Sequence, residues 1–470
     1  MTDSHKSGLL LPITLTVTLG GFLFGYDTAV ISGTVGSLKV FFVDPFNLGE
    51  TAANAFLGFV VSSALLGCIL GGLLGGWVSK RLGRRNGLVL SAFMFLISAL
   101  GSAMPELPTM APGSGDHTLV YWFIFYRMIG GVGIGMASML SPLYIAEIAP
   151  ADRRGQLVSL NQFAIVVGIL IVYFVNYFIA GGAEESWLHT SGWRWMFASE
   201  AIPAVIFLGA LFFIPDTPRS LVLRGEHTAA VAVLEKINGA ARAPAILEEI
   251  KASLTDQSGK LFSFGFAIIA IGITLAVLQQ SVGINAVLYY APEIFKSMGG
   301  STDAAMLQTV VVGAVNLVFT VVAIFTVDRY GRKSLMLIGG VGMAVAMLGL
   351  GLSFYASWHW SSTLGFMLFY VACFAMSWGP VAWVLLSEMF PNKIRAAAMA
   401  IAVAAMWIAN QIVSWTFPMM NDNTWLVDTF NHGFVYWVYG TASLVAVVFV
   451  WRFIPETKGK TLEELEQLWK

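Results

Sequence analysis

The chain has 470 residues, of which 57% are hydrophobic and only 11% are charged, and its formal net charge is −1. A soluble globular protein carries roughly 25% charged residues, so this composition indicates an integral membrane protein. The near-zero net charge argues against a nucleic-acid partner. The two cysteines lie in apolar runs, and the six histidines do not have the spacing of metal ligands, so we expect no disulfide framework, metal site or other cofactor.

Twelve apolar runs follow one another along the chain, each near the ~20 residues that a membrane-spanning helix needs. We number them spans 1 to 12. The first is too long for a signal-peptide core and contains Asp27, so we interpret it as a retained span. The sequence predicts an all-α membrane protein with an even number of spans, which lie near residues 9–33, 55–78, 87–104, 119–147, 157–180, 195–215, 262–295, 305–327, 335–356, 363–390, 396–420 and 433–454.

Lysine and arginine are concentrated on one side of these spans. They follow spans 2, 4, 8 and 10 and recur in the polar segment 216–260 and in the tail, whereas the opposite side has only Lys39, Arg194 and Lys296. Because basic loops remain in the cytoplasm, both termini are predicted to be cytoplasmic.

Two charged residues, Asp27 in span 1 and Arg127 in span 4, are predicted to lie well inside the membrane. An unpaired charge there costs several kcal/mol, so we expect the two side chains to pair. One interpretation is a permanent ion pair that only orients helices. We favour a switch in which protonation of Asp27 frees Arg127, because an intramembrane carboxylate is by default a proton or ion site.

The segment 216–260 is the only long polar connection, and it separates six spans from six spans. Its apolar residues recur at helical spacing, which predicts short amphipathic surface helices. We therefore divide the chain into a six-helix bundle at 1–215, a cytoplasmic helical linker at 216–260, a second six-helix bundle at 261–455 and a cytoplasmic tail at 456–470.

Span 7 carries a dense group of polar residues, the stretch Q-Q-S-V-G-I-N-A-V-L-Y-Y that begins at Gln279. On a regular helix Asn285 would face away from Gln279 and Gln280, but Gly283 can let the backbone unwind and bring the amides together. Asn285 and Tyr289 share a face. Uncharged donors and acceptors beside aromatic rings suit a ligand rich in hydroxyl groups; the alternative is that the amides join helices.

Three motifs recur in the same order in the two halves of the chain. The first motif is G-G-W-V-S-K-R-L-G-R-R after span 2 and V-D-R-Y-G-R-K after span 8. The second is E-I-A-P-A-D-R-R-G after span 4 and E-M-F-P-N-K-I-R after span 10. The third is P-D-T-P-R after span 6 and P-E-T-K-G-K after span 12. Internal duplication of six-span units is a transporter architecture, with the substrate site between the repeats near mid-membrane.

Charged residues of these motifs lie at the predicted cytoplasmic ends of the spans. Solvated positive-inside charges account for most lysines and arginines there, but the Glu–Arg spacing after span 4 is repeated after span 10. We interpret the repeat as an interdomain gate, which closes the cytoplasmic side when the carrier faces outward. Asp216 and Asp328 can join this gate. A surface ion pair contributes only ~0–1 kcal/mol, so the gate must act as a network. Its predicted members are Arg85, Glu147, Arg154, Arg332, Glu388 and Arg395.

These motifs, with L-F-G-Y-D-T-A-V-I-S-G-T-V in span 1, V-G-I-N-A-V-L-Y-Y-A-P-E in span 7 and S-W-G-P-V-A-W-V-L-L-S-E in span 10, resemble the sugar porter family of the major facilitator superfamily over nearly the whole chain. Within it the chain is most similar to the bacterial D-xylose:proton symporters. The resemblance implies a major facilitator fold, twelve transmembrane helices in two six-helix bundles, and a monomer in the bacterial cytoplasmic (inner) membrane. It also implies import of a monosaccharide, D-xylose or D-glucose, with a proton by alternating access.

The resemblance assigns proton coupling to Asp27 and Arg127, and the human facilitative glucose carriers have an uncharged residue at the aspartate. Gly379-Pro380 is expected to break span 10 next to Trp383, as broken helices line cavities in transporters. The sugar is assigned to amide and aromatic side chains and a glycine: Phe24 (a flanking aromatic), Gln162, Gln279, Gln280, Asn285, Tyr289, Asn316, Gly379, Trp383 and Trp407.

Two positions depart from the xylose symporters, which carry glutamine where this chain has Ile169 and Met406. Each lost amide removes hydrogen bonds worth ~1 kcal/mol net, so the choice between D-xylose and D-glucose is open. A sugar uniporter, with Asp27 neutral or permanently paired, is the main alternative function. A non-transporting sugar sensor would need long signalling tails, which we do not expect beyond Lys470. A membrane enzyme would need catalytic carboxylates or metal ligands at the membrane face, and we expect no catalytic residues.

Overall fold

The computed structural model describes residues 9–107, 116–150, 153–255, 265–391 and 394–458. Within these ranges twelve helical segments are long and apolar enough to cross a membrane, so the predicted all-α fold with twelve spans is confirmed. In chain order they are Leu10–Gly33, Glu50–Arg81, Arg84–Ala103, His117–Ile148, Gln156–Ala180, Glu185–Leu211, Phe266–Ser297, Thr302–Val327, Arg332–Tyr355, Trp360–Met389, Ala397–Asn421 and Gly433–Phe453.

Some spans extend beyond the apolar runs that predicted them. Span 2 begins at Glu50 rather than at residue 55, and span 6 begins at Glu185 rather than at 195. In both places the helix continues into polar sequence, because backbone hydrogen bonding does not stop where the side chains become polar. Span 6 also contains a π-helical turn at Leu188–Gly192.

The predicted surface helices of the polar segment are present as Pro218–Leu223, His227–Asn238 and Ala243–Thr255. The side chain of Thr217 caps the first of them by accepting a hydrogen bond from the amide of Ser220. The second is amphipathic, since its buried residues recur at i, i+3, i+4 and i+7: Ala230, Val233, Leu234 and Ile237.

The first six spans pack mainly against each other, as do the last six, and the two groups meet where span 2 contacts span 11 and span 5 contacts span 8. We call the end of the molecule at which spans 2 and 8 finish the basic end. At the opposite end the side chain of Asn54 donates to the carbonyl of Asp422 at 3.2 Å. The indole of Trp415 donates to the carbonyl of Ala55 at 2.8 Å. These bonds join the two halves at the end remote from the basic loops.

Span 7 is divided at Gly283 into the helices Phe266–Ser281 and Ile284–Ser297. The φ angle of Gly283 is +91°, in the left-handed region that glycine adopts without steric cost. The carbonyl of Val282 accepts a hydrogen bond from the hydroxyl of Tyr370 at 2.7 Å. The predicted unwinding of span 7 at this glycine is therefore confirmed.

Span 10 is also divided, but the predicted break at Gly379-Pro380 is wrong by two residues. The helix Trp360–Met376 ends before Ser377, and Trp378–Met389 begins after it. The ring of a proline clashes with the carbonyl four residues earlier, which here belongs to Met376. The break therefore precedes Pro380, which lies in the first turn of the second helix, where a missing amide costs no helical hydrogen bond.

Replacing Gly283 with alanine should destabilise the protein. A left-handed alanine costs roughly 1–2 kcal/mol, and its Cβ would collide with the ring of Tyr439. Thermal unfolding in detergent should show a lower midpoint for Gly283→Ala. Gly209→Ala is the matched control, because no atom lies within 4 Å of a Cβ built at Gly209 in span 6. Equal midpoints for the two variants would contradict the requirement for glycine at the break.

Candidate functional site

A cavity of about 270 Å³ lies between the two halves at the level of the span 7 break. Spans 1, 4, 5, 7, 8, 10 and 11 contribute its lining, and none of the described lining residues is charged. All ten residues that the resemblance assigns to sugar binding line it: Phe24, Gln162, Gln279, Gln280, Asn285, Tyr289, Asn316, Gly379, Trp383 and Trp407. The structure thus brings these residues together, and their role in binding sugar stays a prediction.

Three amides form a hydrogen-bonded row across the break in span 7. Gln280 donates to the side-chain oxygen of Gln279 at 2.5 Å, and Asn285 donates to the side-chain oxygen of Gln280 at 2.7 Å. Gln279 and Gln280 end one helix while Asn285 begins the next, so only the turn at Gly283 makes this row possible. Amides can both donate to and accept from neighbouring hydroxyl groups, so the row suits a polyol.

Aromatic rings form another part of the cavity wall. The rings of Phe24 and Trp407 lie 5.6 Å apart at an angle of 51°. The indole N–H of Trp407 is buried and has no hydrogen-bond partner among the described residues. A buried indole N–H normally has a partner, so this donor is available to an oxygen atom of a ligand.

The sequence prediction missed Asn161, a cavity residue beside Gln162. Its side-chain oxygen is buried and has no partner among the described residues. The adjacent Asn-Gln pair in an apolar span was the available signal. The two departures, Ile169 and Met406, also line the cavity, so apolar groups occupy part of a wall that is otherwise rich in amides.

The cavity extends toward the basic end and is closed at the opposite end. Its lining includes Ser159 near the start of span 5 and Ile324 near the end of span 8, both at the basic end. On the other side, the hydroxyl of Tyr173 in span 5 donates to the carbonyl of Leu288 in span 7 at 2.9 Å. This bond crosses between the halves, so the cavity opens toward the basic loops.

Asp27 and Arg127 form the predicted ion pair. The guanidinium of Arg127 bonds to the carboxylate of Asp27 and also donates to its backbone carbonyl at 3.2 Å. The side chains are 0% and 1% exposed, respectively. The ring of Phe197 lies 5.3 Å from the guanidinium carbon. The pair lies outside the cavity, but Asp27 is on span 1 between Phe24 and Thr28, which line it.

A third charged residue, Glu200 in span 6, lies near this pair and was missed. It is fully buried, neither carboxylate oxygen has a partner among the described residues, and its charge interacts with those of Asp27 and Arg127. The prediction that Asp27 and Arg127 are the two charges well inside the spans is therefore wrong. Glu200 falls only five residues inside the predicted start of span 6, a depth at which a charge can reach the membrane surface.

At the basic end, each half contains the same charged cluster. In the first half Arg84 pairs with Glu147 at 2.8 Å, and the hydroxyl of Thr217 also donates to Glu147. The carboxylate of Asp216 accepts from the backbone amides of Arg84 and Arg85 at 3.1 and 3.2 Å. Arg85, a predicted member of the gate, instead donates its guanidinium to the backbone carbonyls of Leu211 and Phe212 at the end of span 6. Adjacent arginines differ by ~100° around a helix, so only one faces Glu147.

The second half repeats this arrangement. Arg332 pairs with Glu388 at 3.0 Å, and the hydroxyl of Thr457 donates to Glu388 at 2.6 Å. Glu456 accepts from the backbone amides of Arg332 and Lys333 at 3.0 and 3.1 Å. Burial acts to raise the pKa of Glu456, but these and other backbone hydrogen bonds outweigh it and lower the pKa. Both ion pairs join elements of one half, so they do not bridge the halves here.

Three further residues of the predicted gate complete this comparison. Arg395 donates to the carbonyl of Phe390 at 3.1 Å within its own half. The side chains of Arg154 and Asp328 lie outside the described part of the structure. The predicted interdomain gate of the outward-facing state therefore stays a prediction.

The fold and this site define a membrane transporter, and comparisons with known proteins agree. Residues 13–469 match the family model "Sugar (and other) transporter". The chain is 57% identical to the D-xylose-proton symporter of Escherichia coli strain K12, over 100% of this chain and 98% of that protein. It is 43% identical to the glucose facilitated diffusion protein of Zymomonas mobilis, over 100% and 99% of the two chains. This chain belongs to the sugar transporter family.

A solved structure gives the same result. The inward open conformation of the xylose transporter XylE from E. coli matches with a TM-score of 0.89 and 55% identity, covering 98% of this chain and 100% of that one. The major facilitator architecture of this chain is thereby established.

Replacing Asn285 with alanine should weaken sugar binding. The change removes one amide from the row, and a lost hydrogen bond of ~1 to 1.5 kcal/mol raises a dissociation constant roughly 5- to 13-fold. Binding of D-xylose and D-glucose can be followed through the fluorescence of the cavity tryptophans. Ser281→Ala is the control, because the Ser281 hydroxyl donates to its own helix at the carbonyl of Val277. An unchanged dissociation constant for both sugars in Asn285→Ala would remove the amide row from the site.

Proposed function

We propose that this protein is a proton-coupled symporter that imports a monosaccharide by alternating access, with D-xylose as the first candidate substrate and D-glucose as the second. The observation that carries the proposal is the buried group of Asp27, Arg127 and Glu200 beside a cavity whose described lining residues include amides and indoles and no charge. The name and full-length identity of the E. coli D-xylose-proton symporter support the same function.

The charge balance of the buried group explains how a proton can be coupled to movement. Two carboxylates and one guanidinium carry a net charge of −1 when both acids are ionised, and an uncompensated buried charge is costly. A proton neutralises the group. When it binds Asp27, that carboxyl no longer needs Arg127, and Glu200 remains to balance the guanidinium. Spans 1, 4 and 6 then gain a different preferred arrangement.

Span 1 links this group to the sugar. Phe24 and Thr28 flank Asp27 on the same helix and line the cavity. A displacement of span 1 on protonation therefore changes the sugar site directly. In the other direction, a sugar that orders the cavity wall favours one position of span 1 and so alters the affinity of Asp27 for a proton.

The orientation of the chain follows from its basic loops. We place the basic end, with both termini, in the cytoplasm of a bacterium whose inner membrane holds the protein, because positively charged loops remain on that side. The cavity that opens toward the basic end then faces inward. The substrate and the proton are released there, and the protein works as a monomer in which the bundles 1–215 and 261–455 rock about the cavity.

The basic clusters contribute to this movement as a network. In the inward-facing arrangement Arg84 and Arg332 hold Glu147 and Glu388 within their own halves. When the cytoplasmic ends of the halves approach, these carboxylates become available to arginines across the interface. Each surface pair contributes only ~0–1 kcal/mol, so the gate can open again in every cycle.

A facilitative uniporter is the second candidate function. It is favoured by the 43% identity to a glucose facilitated diffusion protein and by the apolar Ile169 in the cavity. In that case the Asp27–Arg127 pair stays intact through the cycle. The two functions differ in whether a proton gradient drives accumulation.

The decisive experiment follows labelled D-xylose and D-glucose uptake into liposomes that contain purified protein, with and without an inward proton gradient. We expect the wild type to accumulate sugar against its gradient, because protonation of Asp27 drives the transition. Asp27→Asn should abolish accumulation while counterflow exchange survives. Asp44→Asn makes the same chemical change at an exposed site and should leave both activities intact.

Downhill flux that ignores the gradient in wild type and Asp27→Asn alike would replace symport with uniport. Binding without flux of either sugar would leave a sensor.

The apolar positions should set sugar preference. Restoring an amide with Ile169→Gln or Met406→Gln adds a hydrogen-bonding group of ~1 kcal/mol, so competition by D-xylose should strengthen roughly fivefold relative to D-glucose. Ile169→Leu and Met406→Leu keep an apolar wall and should leave the ratio unchanged. If the glutamine and leucine variants show the same ratio of D-xylose to D-glucose competition, Ile169 and Met406 do not select the sugar.

A further inference from the structure

Two serines on span 3 have hydroxyl groups without a hydrogen bond to any residue that the structure describes. Ser98 and Ser102 are both 0% exposed, and neither side-chain oxygen has a partner among the described residues. Buried serines in helices usually bond back to a carbonyl of their own helix. Ser63 in span 2 and Ser353 in span 9 do so, each at 2.8 Å. The hydroxyl groups of Ser98 and Ser102 therefore remain able to hydrogen-bond to a group outside their own helix.

The hydroxyl of Ser98 lies beside the buried carboxylate. A Cβ built at Gly130 in span 4 would collide with both Ser98 Oγ and Asp27 Oδ2, so the two oxygens converge on the space that this glycine leaves open. Asp27 Oδ2 is the carboxylate oxygen without a partner among the described residues; Oδ1 holds Arg127. The free oxygen of the proton site thus faces the serine.

Ser102 lies farther along span 3 than Ser98, toward the end opposite the basic loops. It is one turn beyond Ser98 on the same face of span 3, about 6 Å along the helix axis. The adjacent residue, Ala103, accepts a hydrogen bond from Arg194 at 3.0 Å, and Arg194 also pairs with the buried Glu106 at 2.6 Å. The side chain of Arg194 is 19% exposed. On span 3, Ser102 therefore lies between Ser98, which is beside Asp27, and Ala103, which contacts a partly exposed ion pair.

Hydroxyl groups at this spacing can relay a proton. The helix separates these residues by ~6 Å along its axis, and two hydrogen bonds through one water span at most ~5.6 Å, so a relay between them uses two waters, each with two or more polar partners. Each oxygen gains a proton on a lone pair and passes its own hydrogen onward, so every O–H bond formed is matched by one broken. The last proton ends on Asp27 Oδ2, and no group changes its oxidation state.

Other polar groups lie near Asp27, in addition to Ser98 and Ser102. Arg127, Glu200 and Cys68 all interact with the charge of Asp27. None of Ser98, Ser102, Glu106 and Arg194 lines the sugar cavity. The proton and the sugar therefore have different routes to the centre of the protein.

We propose that Ser98 and Ser102 form the proton-entry path from the outer surface to Asp27, with the Glu106–Arg194 pair at its mouth. The path rests on the proposed proton symport. It lies within the first half of the chain and does not pass through the sugar cavity between the halves.

The test uses the full-length protein in liposomes and measures three quantities on each variant: D-xylose uptake driven by an inward proton gradient, D-xylose counterflow at equal pH, and internal acidification reported by a trapped pH dye. Ser98→Ala, Ser102→Ala and the double variant remove the hydroxyls. Ser63→Ala removes a buried serine hydroxyl that already has a partner, and serves as the control. Ser98→Cys keeps the side-chain volume while weakening the hydrogen bond.

We expect gradient-driven uptake and acidification to fall together, at least tenfold in the double variant, while counterflow stays within about twofold of wild type because exchange needs no net proton entry. Ser98→Cys should resemble Ser98→Ala, and Ser63→Ala should resemble wild type. Normal gradient-driven uptake in the double variant would overturn the path while leaving symport intact. An equal loss of uptake and counterflow would also overturn it, because that result marks a packing role. A wild type without gradient-driven uptake would overturn the path and symport together.

Discussion

A buried arginine that pairs with Asp27 and interacts with the charge of Glu200 is the constraint on which the first half of the structure depends. Arg127 is 1% exposed, and breaking a buried ion pair by removing one partner typically costs about 3–5 kcal/mol. Spans 1, 4 and 6 must therefore converge on this point. Gly130 permits the convergence, since a side chain there would displace Asp27. An uncompensated charge in this buried group is costly, and a single proton changes the net charge of the group. The same constraint is therefore useful for transport.

The sugar cavity solves the opposite problem, because it must present polar groups without charge. Its amides bond to one another across the break at Gly283, so they are partly satisfied when no ligand is bound. A ligand can exchange those bonds for its own hydroxyls at little net cost. The break itself requires a glycine with positive φ, and the carbonyl it frees is held by Tyr370. Geometry of the backbone, rather than composition alone, thus forms the site.

Much of this could be predicted from the sequence because membranes impose simple rules. Span length, basic loops and the cost of polar atoms in hydrocarbon identified twelve spans, the Asp27–Arg127 pair and the amides of span 7. Glu200 was missed because a carboxylate near a predicted span end could equally face water, and only the helix extension to Glu185 places it deep. The choice of Arg84 over Arg85 depends on helix rotation, and the break at Ser377 depends on which carbonyl Pro380 would strike. Neither can be read from a one-dimensional pattern.

The absence of charge among the described residues that line the cavity has an electrical consequence. A neutral sugar in a neutral cavity moves no charge, so in proton symport the only charge that crosses the membrane with it is the proton on the buried group. Each turnover is then electrogenic. Moving one elementary charge is worth ~2.3 kcal/mol per 100 mV, which corresponds to a sugar concentration ratio of roughly 50. The membrane voltage alone, without any difference in pH, can therefore load the cell with sugar.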